Sequence, residues 1–476
     1  MRSGPLVVIG DTLLDVDLSG AVERLCPDAP VPVVGDVYEQ ARAGGAGLAA
    51  TLAAVLSGQD VVLVTALAAD EHGDRLVKLL AGHVDLVALP LRGETVRKTR
   101  IRAAGRTLLR FDQGDGRVGG GPAGDETAEA LGRAGAVLVA DYGRGVAAHS
   151  GLRRLLAGLS PDVPLVYDPH PRGAPPPRGA RLVTPNSAEA RALAPEGRDA
   201  GRTLGQAAAD ARALVRMWQA VGVAVTLGEG GALLSVGEDV PFVVPAPTQS
   251  EGVDTCGAGD CFSAVVALAL RDGRLLTEAV TEAVHRASAF VAGGGAGRLG
   301  ASAPPGAETS ARPVAEDSPS DAWTVVRQVR ERGGKVVATG GCFDLLHAGH
   351  VSLLCQARAL GDCLVVCLNS DTSVRGLKGA GRPVAGERDR ARVLSALDSV
   401  DGVLIFDDRT PAKVLERLRP DVWVKGGDYA PADLVEAETV RRHGGEVVLV
   451  PYLGGRSTSR MVERVRALKP GGGEAA

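Results

Sequence analysis

The feature that most constrains this chain is a rhythm: short buried-type runs alternate with helix-period stretches, in two blocks separated by a segment with no period. In the first block the strand-like runs are residues 6–9, 61–66, 84–89, 136–140, 164–167, 181–184 and 223–227. Helical patterns fit between them, as at 47–56, 74–80, 203–221 and 258–270. Strands that read as unbroken apolar runs are covered on both faces, so the pattern predicts α/β architecture with a parallel, doubly wound sheet. Two segments depart from it, 31–38 and 95–112. In the second, Arg97-Lys98-Thr99-Arg100-Ile101-Arg102 and residues 107–111 alternate polar with apolar around Ala104-Gly105. That suits an exposed hairpin serving as a lid over the ligand edge of a sheet.

Residues 300–321 turn to Ala, Pro, Ser, Gly and Glu without periodicity, the composition of an extended linker. After Trp323 the alternation resumes, with a helix at 324–332 and strands near 336, 364–368, 403–406, 422–424 and 447–450. Five strands in that length suit one compact doubly wound domain. The expected division is a first domain over 1–300, a flexible linker over 301–322, a second domain over 323–469 and a disordered tail over 470–476.

A chain of 476 residues is too long for one ordinary domain, and its 45% hydrophobic content suffices for two cores. The net charge of −4 gives no pull toward nucleic acid or an anionic membrane. Seven cysteines form no C-x-x-C pair, and their odd number and scatter argue for reduced thiols in a cytoplasm. No secretion signal opens the sequence, and no apolar run reaches the roughly 18 residues a membrane span needs. The expected setting is soluble and cytoplasmic.

Two stretches carry chemistry. In the first block, Asp254-Thr255-Cys256-Gly257-Ala258-Gly259-Asp260 precedes a long apolar helical pattern. The glycines let the backbone turn tightly, so the N–H groups of Gly257, Ala258 and Gly259 can converge on an anion. Asp260 then falls on the first helical turn, where a carboxylate can accept a proton from a sugar hydroxyl attacking a γ-phosphorus. In the second block, Gly340-Gly341-Cys342-Phe343-Asp344-Leu345-Leu346-His347-Ala348-Gly349-His350 reads as strand, glycine-rich turn and helix. A helix N-terminus offers unpaired N–H groups and positive dipole to phosphate, and the two histidines there can donate to phosphate oxygens as charge builds. His-x-x-His spacing alone also allows a metal pair or two surface histidines. The preceding glycines and Phe343-Asp344 favour the phosphate reading. Asn369-Ser370-Asp371, Leu377-Lys378-Gly379, Val424-Lys425-Gly426-Gly427-Asp428-Tyr429 and Gly455-Arg456-Ser457-Thr458-Ser459-Arg460 fall at strand ends or helix entrances on the same expected face.

The Asp260 string resembles the second signature of the ribokinase (PfkB) family of carbohydrate kinases, and the resemblance covers about residues 5–300. It implies a ribokinase-like fold with a β lid, Asp260 as catalytic base and residues 257–260 as anion hole. Asn186-Ser187-Ala188-Glu189 matches the family's N-x-x-E segment, which implies that Asn186 and Glu189 help place Mg²⁺ and phosphates through water, with no direct protein ligand to the metal. Thr226, Gly228 and Gly231 match the segment lining the nucleotide pocket, and Asp11 and Asp15 match positions that bind sugar hydroxyls. The first signature, Gly44-Gly45-Ala46-Gly47-Leu48, carries Leu48 where a sugar-contacting Asn is usual, and an unmet hydroxyl there costs about 1–3 kcal/mol.

Residues 24–34, Asp141-Tyr142-Gly143-Arg144-Gly145 and Asp168-Pro169-His170 resemble heptose 7-phosphate kinases more narrowly, although Arg144 and His170 stand where lysines are usual. Lys98, Arg100, Arg102, Arg110 and Arg144 are candidates for a phosphate at the far end of the sugar.

The histidine stretch resembles the signature of cytidylyltransferase-like nucleotidyltransferases. Over about residues 335–467 the motif set resembles the adenylyltransferase half of bifunctional heptose enzymes. That implies His347 and His350 at the α-phosphorus and Lys378, Ser457, Thr458 and Ser459 on nucleotide phosphates. Cys342, Phe343, Asp344, Asp371 and Lys425 would lie about the nucleotide and substrate.

Together the resemblances imply ADP-heptose synthesis from ATP with Mg²⁺, small-molecule partners only, and a homodimer through the lid. Two other readings stand beside this one: a kinase-like half kept only for binding or oligomerisation, and a different sugar or nucleotide such as CTP.

Overall fold

The computed structural model describes residues 4–103, 106–195, 203–247, 255–298, 321–379, 381–427 and 436–451. They fall into two compact units, one of residues 1–237 with 246–304 and one of residues 238–245 with 305–476. The expected linker lies outside the described residues except at Asp321 and Ala322, where helix Ala322–Glu331 begins. The expected tail and the 455–460 cradle also lie outside them.

In the first unit the strands run in the order Ala232–Ser235, Val223–Thr226, Leu182–Val183, Leu165–Asp168, Ala136–Ala140, Leu6–Gly10, Val61–Leu67, Asp85–Arg92 and Arg117–Val118. All pairings are parallel except those made by the two outermost strands. Leu6–Gly10 is buried at every residue, which is why it reads as an unbroken apolar run. The strand order reverses between Leu6–Gly10 and Ala136–Ala140, where the chain leaves the first strand at Asp11 and the other at Asp141-Tyr142. A doubly wound sheet opens its ligand crevice at such a reversal, outside the carboxyl ends of the strands.

A separate four-stranded sheet orders Pro32–Gly45, Thr12–Leu25, Arg97–Ala103 and Arg106–Gln113. The last two are the expected hairpin. Thr12–Leu25 was not expected as a strand, although Asp15 and Asp17 alternate with Leu14 and Val16. Both carboxylates are buried, and buried acids disguise a strand whose solvent-side alternation would otherwise be plain.

In the second unit the order is Gly402–Phe406, Cys363–Asn369, Val336–Gly341, Val422–Gly426 and Glu446–Val450, all parallel. These are the five strands expected. Phe242–Val244 joins at the outer edge. Here the reversal lies between Val336–Gly341 and Val422–Gly426, so the crevice receives the Cys342–His347 turn and Lys425. All seven cysteines are free thiols. Among the described residues no helix is long and apolar enough to cross a membrane.

Candidate active sites

Helix Ala258–Arg271 starts at Gly257, whose φ of 83° favours glycine. A Cβ there would lie 2.9 Å from Leu48 Cδ2 and 3.3 Å from the Ala296 methyl. Leu48 therefore packs as a wall of the glycine turn. In front of Gly259 the space is open. A cavity of about 190 Å³ brings together Thr226, Gly228, Gly231, Ala258 and Gly259, and Val284, Ala287 and Val291 give it an apolar side fit for a flat ring. Asn186 and Glu189 stand at the entrance of helix Ser187–Leu193 as a capping box: Asn186 Oδ1 accepts from the N–H groups of Ala188 and Glu189, and Glu189 Oε2 accepts from the N–H of Asn186. Burial pushes both the Glu189 and the Asp168 carboxyls up, and the Glu189 charge adds to the rise at Asp168.

Asp260 is buried, and its carboxyl is raised to about 7. Burial is the main cause and Asp15 adds to it, while a hydrogen bond from Tyr142 and the charge of Lys98 pull the other way. A carboxyl poised there can take up a proton at neutral pH. The Tyr142 hydroxyl donates to Asp260 Oδ1 at 2.7 Å. Lys98 Nζ lies 5.2 Å from the centre of the Tyr142 ring.

Asp15 and Gly44 meet directly, since a Cβ on Gly44 would overlap Asp15 Oδ2. Asp15 accepts from Arg100 at 2.9 Å, and Asp17 from Arg42 at 2.8 Å. Asp17 and Arg42 were not singled out by the sequence. The Asp15–Asp17 spacing of two, which puts both on one strand face, was the available signal.

Asp11 is anchored by its own surroundings. Its carboxylate accepts backbone N–H groups from Tyr142 at 3.1 Å, Arg144 at 3.0 Å and Val146 at 3.0 Å. With both oxygens engaged, it holds the protein's own loop at the strand end where a sugar-hydroxyl contact is expected. Arg144 reaches this cluster through its backbone N–H. Gly45, at φ 62°, leaves room for the same loop: a Cβ would come within 2.5 Å of the Asp11 carbonyl and 3.3 Å of the Tyr142 ring.

In the second unit His347 caps helix Ala348–Arg358, and its ring stacks on that of His350 at 3.8 Å between centroids. Phe343 takes a left-handed φ of 42° and lays its buried ring 5.2 Å from His350. His350 is lowered to about 4, first by burial and then by the charges of His347 and Lys378. Lys378, at the end of helix Asp371–Lys378, thus lies within electrostatic reach of the histidines.

Asp344 accepts from the N–H of Val384 at 2.6 Å and pairs with Arg382 at 2.8 Å, so it fastens the histidine turn to the 382–385 loop. Cys342 Sγ faces Asn369 Oδ1 at 3.9 Å. Asp371 pairs with Arg390 at 2.7 Å and Lys425 with Glu436 at 3.1 Å, so both charges expected near substrate are held by protein partners. Arg390 is buried and also donates to the carbonyls of Cys342, Asn369 and Ala385. Sequence reasoning passed over it. Its position four residues before buried Leu394, on the core-facing stripe of its helix, was the sign. Ser457, Thr458 and Ser459 lie outside the described residues.

The depressed His350 predicts a neutral ring across the physiological range. In ¹³C-histidine-labelled protein free of nucleotide, its NMR shift should titrate near pH 4; a midpoint near 6.5 would contradict the packing described.

Two family descriptions match the chain: "pfkB family carbohydrate kinase" over residues 163–302 and "Cytidylyltransferase-like" over residues 338–452. The bifunctional protein HldE of Streptomyces coelicolor is 54% identical over 461 residues, covering 97% of this chain and 96% of the relative. That of Azorhizobium caulinodans is 39% identical over 97% of this chain and 98% of its own length. A solved Arabidopsis thaliana ribokinase, 22% identical, aligns with a TM-score of 0.46 over 61% of this chain and 93% of that one. With both halves matched in order, and matched nearly end to end by curated relatives, the chain belongs to the family of bifunctional HldE proteins, a carbohydrate kinase joined to a cytidylyltransferase-like nucleotidyltransferase.

Proposed function

We propose that the first half phosphorylates D-glycero-D-manno-heptose 7-phosphate at O1 with ATP, and that the second joins the derived heptose 1-phosphate to AMP from ATP, giving ADP-heptose and pyrophosphate. A separate phosphatase removes the 7-phosphate between the two steps. The observation that carries the reading is Asp260, held beside the Gly257–Gly259 turn next to a cavity lined by the nucleotide-side residues. In the kinase step Asp260 accepts the O1 proton as O1 bonds to the γ-phosphorus and the bridging electron pair leaves with ADP. The N–H groups of residues 257–259 face the charge on the transferred phosphoryl group. Lys98 and Arg100 extend positive charge along the lid toward the sugar's far phosphate.

The donor set beside the Asn186 cap, two carboxylates (Asp168 and Glu189) whose charges repel, fits a hydrated Mg²⁺. Asn186 and Glu189 would hold it through water, and the ion supplies charge neutralisation for the nucleotide phosphates. In the adenylyl step the sugar phosphate oxygen attacks the α-phosphorus and pyrophosphate leaves. His347 and His350 donate to the developing charge, and Lys378 with Ser457, Thr458 and Ser459 holds the nucleotide phosphates. Both reactions belong in the cytoplasm.

Asp260→Asn should cut formation of the 1,7-bisphosphate by roughly 10²–10⁴-fold and spare pyrophosphate release from ATP and heptose 1-phosphate. His347→Ala should do the reverse. Loss of both activities in either variant would refute separate sites, and absence of bisphosphate from wild-type protein would leave the first half a binding module. Replacing ATP by CTP in the pyrophosphate assay tests the nucleotide. Because Asp260 must be ionised to act as a base, kinase kcat/KM should rise with pH through about 7. A kinase rate flat between pH 6 and 8 would count against that role.

The lid leaves Leu25, Tyr38 and Leu109 more than half exposed, and it is the surface we assign to a homodimer. Tyr38→Glu should turn a dimer into a monomer in sedimentation; an unchanged sedimentation coefficient would remove the lid from the interface.

A further inference from the structure

The buried base of the kinase site does not stand alone, and its partner is held with unusual care. Tyr142 follows strand Ala136–Ala140 on a loop clamped from two sides. Asp11 takes the N–H groups of Tyr142, Arg144 and Val146. Asp141 takes those of Gly143 at 2.8 Å and Ala174 at 3.0 Å, and the hydroxyl of Tyr167 at 3.2 Å. The ring lies against Gly45, where a methyl would crowd it, and below the Lys98 ammonium. So fixed, the phenol reaches Asp260 Oδ1 at 2.7 Å.

From this geometry we infer that Tyr142 is a positioning residue of the phosphoryl-transfer reaction: its hydroxyl donates to Asp260 Oδ1, fixes the carboxylate in place and leaves Oδ2 for the attacking sugar hydroxyl. The inference rests on the kinase reading above.

The direction of donation follows from the surroundings. Burial and the neighbouring Asp260 and Asp168 raise the phenol well above its ordinary value, so it keeps its proton. A carboxylate accepting from it is stabilised as the anion. Other charges facing Asp260 act in both senses: Asp15 from the lid and Asp168 from strand Leu165–Asp168 disfavour ionisation, and Lys98 favours it. On its own helix the neighbouring Cys261 thiol is raised to about 12, so it is neutral and adds no charge. Tyr142 is the group in hydrogen-bond contact with the base. Oδ1 is committed to the phenol, and the proton released as O1 bonds to phosphorus goes to Oδ2.

The test uses the full chain. Tyr142→Phe keeps the ring against Gly45 and removes the donor. In protein labelled with ¹³C-aspartate, with Asp260→Asn assigning the resonance, the Asp260 midpoint should rise by about one pH unit, the amount a hydrogen bond of ordinary strength supplies. The acid limb of kinase kcat should move by the same amount, lowering kcat at pH 7 about 5-fold, with KM for sugar and ATP within about 2-fold. In the Asp260→Asn background the same substitution should change the residual rate less than about 2-fold, because the two groups act as one unit.

An Asp260 midpoint unchanged by Tyr142→Phe, or an equal loss in the Asp260→Asn background, overturns the inference. If the Phe variant does not fold, 3-fluorotyrosine at position 142, a stronger donor of nearly the same shape, should lower the midpoint, and an unmoved midpoint there has the same force. The carboxyl titration needs no turnover. A wild-type protein without kinase activity would thus refute the kinase reading while the Tyr142–Asp260 contact is still decided.

Discussion

Much of the first unit hangs on one buried carboxylate. Asp11 sits where the first strand ends and the sheet order reverses, and it gathers three backbone N–H groups from the loop leaving the neighbouring strand. Hydrogen bonds to a charged acceptor contribute about 1.5–3 kcal/mol each, and a buried carboxylate without them would be costly. The crevice of a doubly wound sheet is otherwise a gap between diverging loops. Asp11 closes one side of it with backbone, and what it fixes is the placement of Tyr142 and, through it, of Asp260. The second unit solves the same problem with a cation. Arg390 spans the histidine turn, the end of strand Cys363–Asn369 and the 382–385 loop, while Asp344 ties the turn to that loop from the other side. In both halves, then, buried charges saturated by backbone hold the reactive groups.

The sequence disclosed the architecture where side-chain pattern alone decides it. Unbroken apolar runs such as Leu6–Gly10 and Cys363–Asn369 can be little else than central parallel strands, and both were legible. The lid hairpin was legible from its alternation and the glycine turn, Gly257 to Asp260, from its chemistry. What stayed hidden depended on tertiary partners. Thr12–Leu25 was missed because its inner face carries Asp15 and Asp17, and acids are inside a strand only if arginines from other strands meet them. Arg390 was missed because its register with Leu394 is a faint sign, and the acceptors that hold it come from other segments.

Asp11, Asp371 and Lys425 show the converse. Each was visible as a charge at a ligand edge, yet the protein partner that holds it lies far along the chain: Val146 for Asp11, Arg390 for Asp371, Glu436 for Lys425. Asn186 and Glu189 sit between these cases, since the residues expected near phosphate are also a helix cap that local sequence alone explains. A motif and a cap are not rivals here; the cap is what holds the motif's side chains still.

The two halves bury the groups proposed to react to opposite effect. Burial lifts an acid and depresses a base, so Asp260 rises to about 7 while His350 falls to about 4. The same physical cause therefore leaves one group poised to titrate near neutrality and the other far from it. Acid protonates the Asp260 carboxyl near neutrality, while the His350 ring stays neutral until well below it.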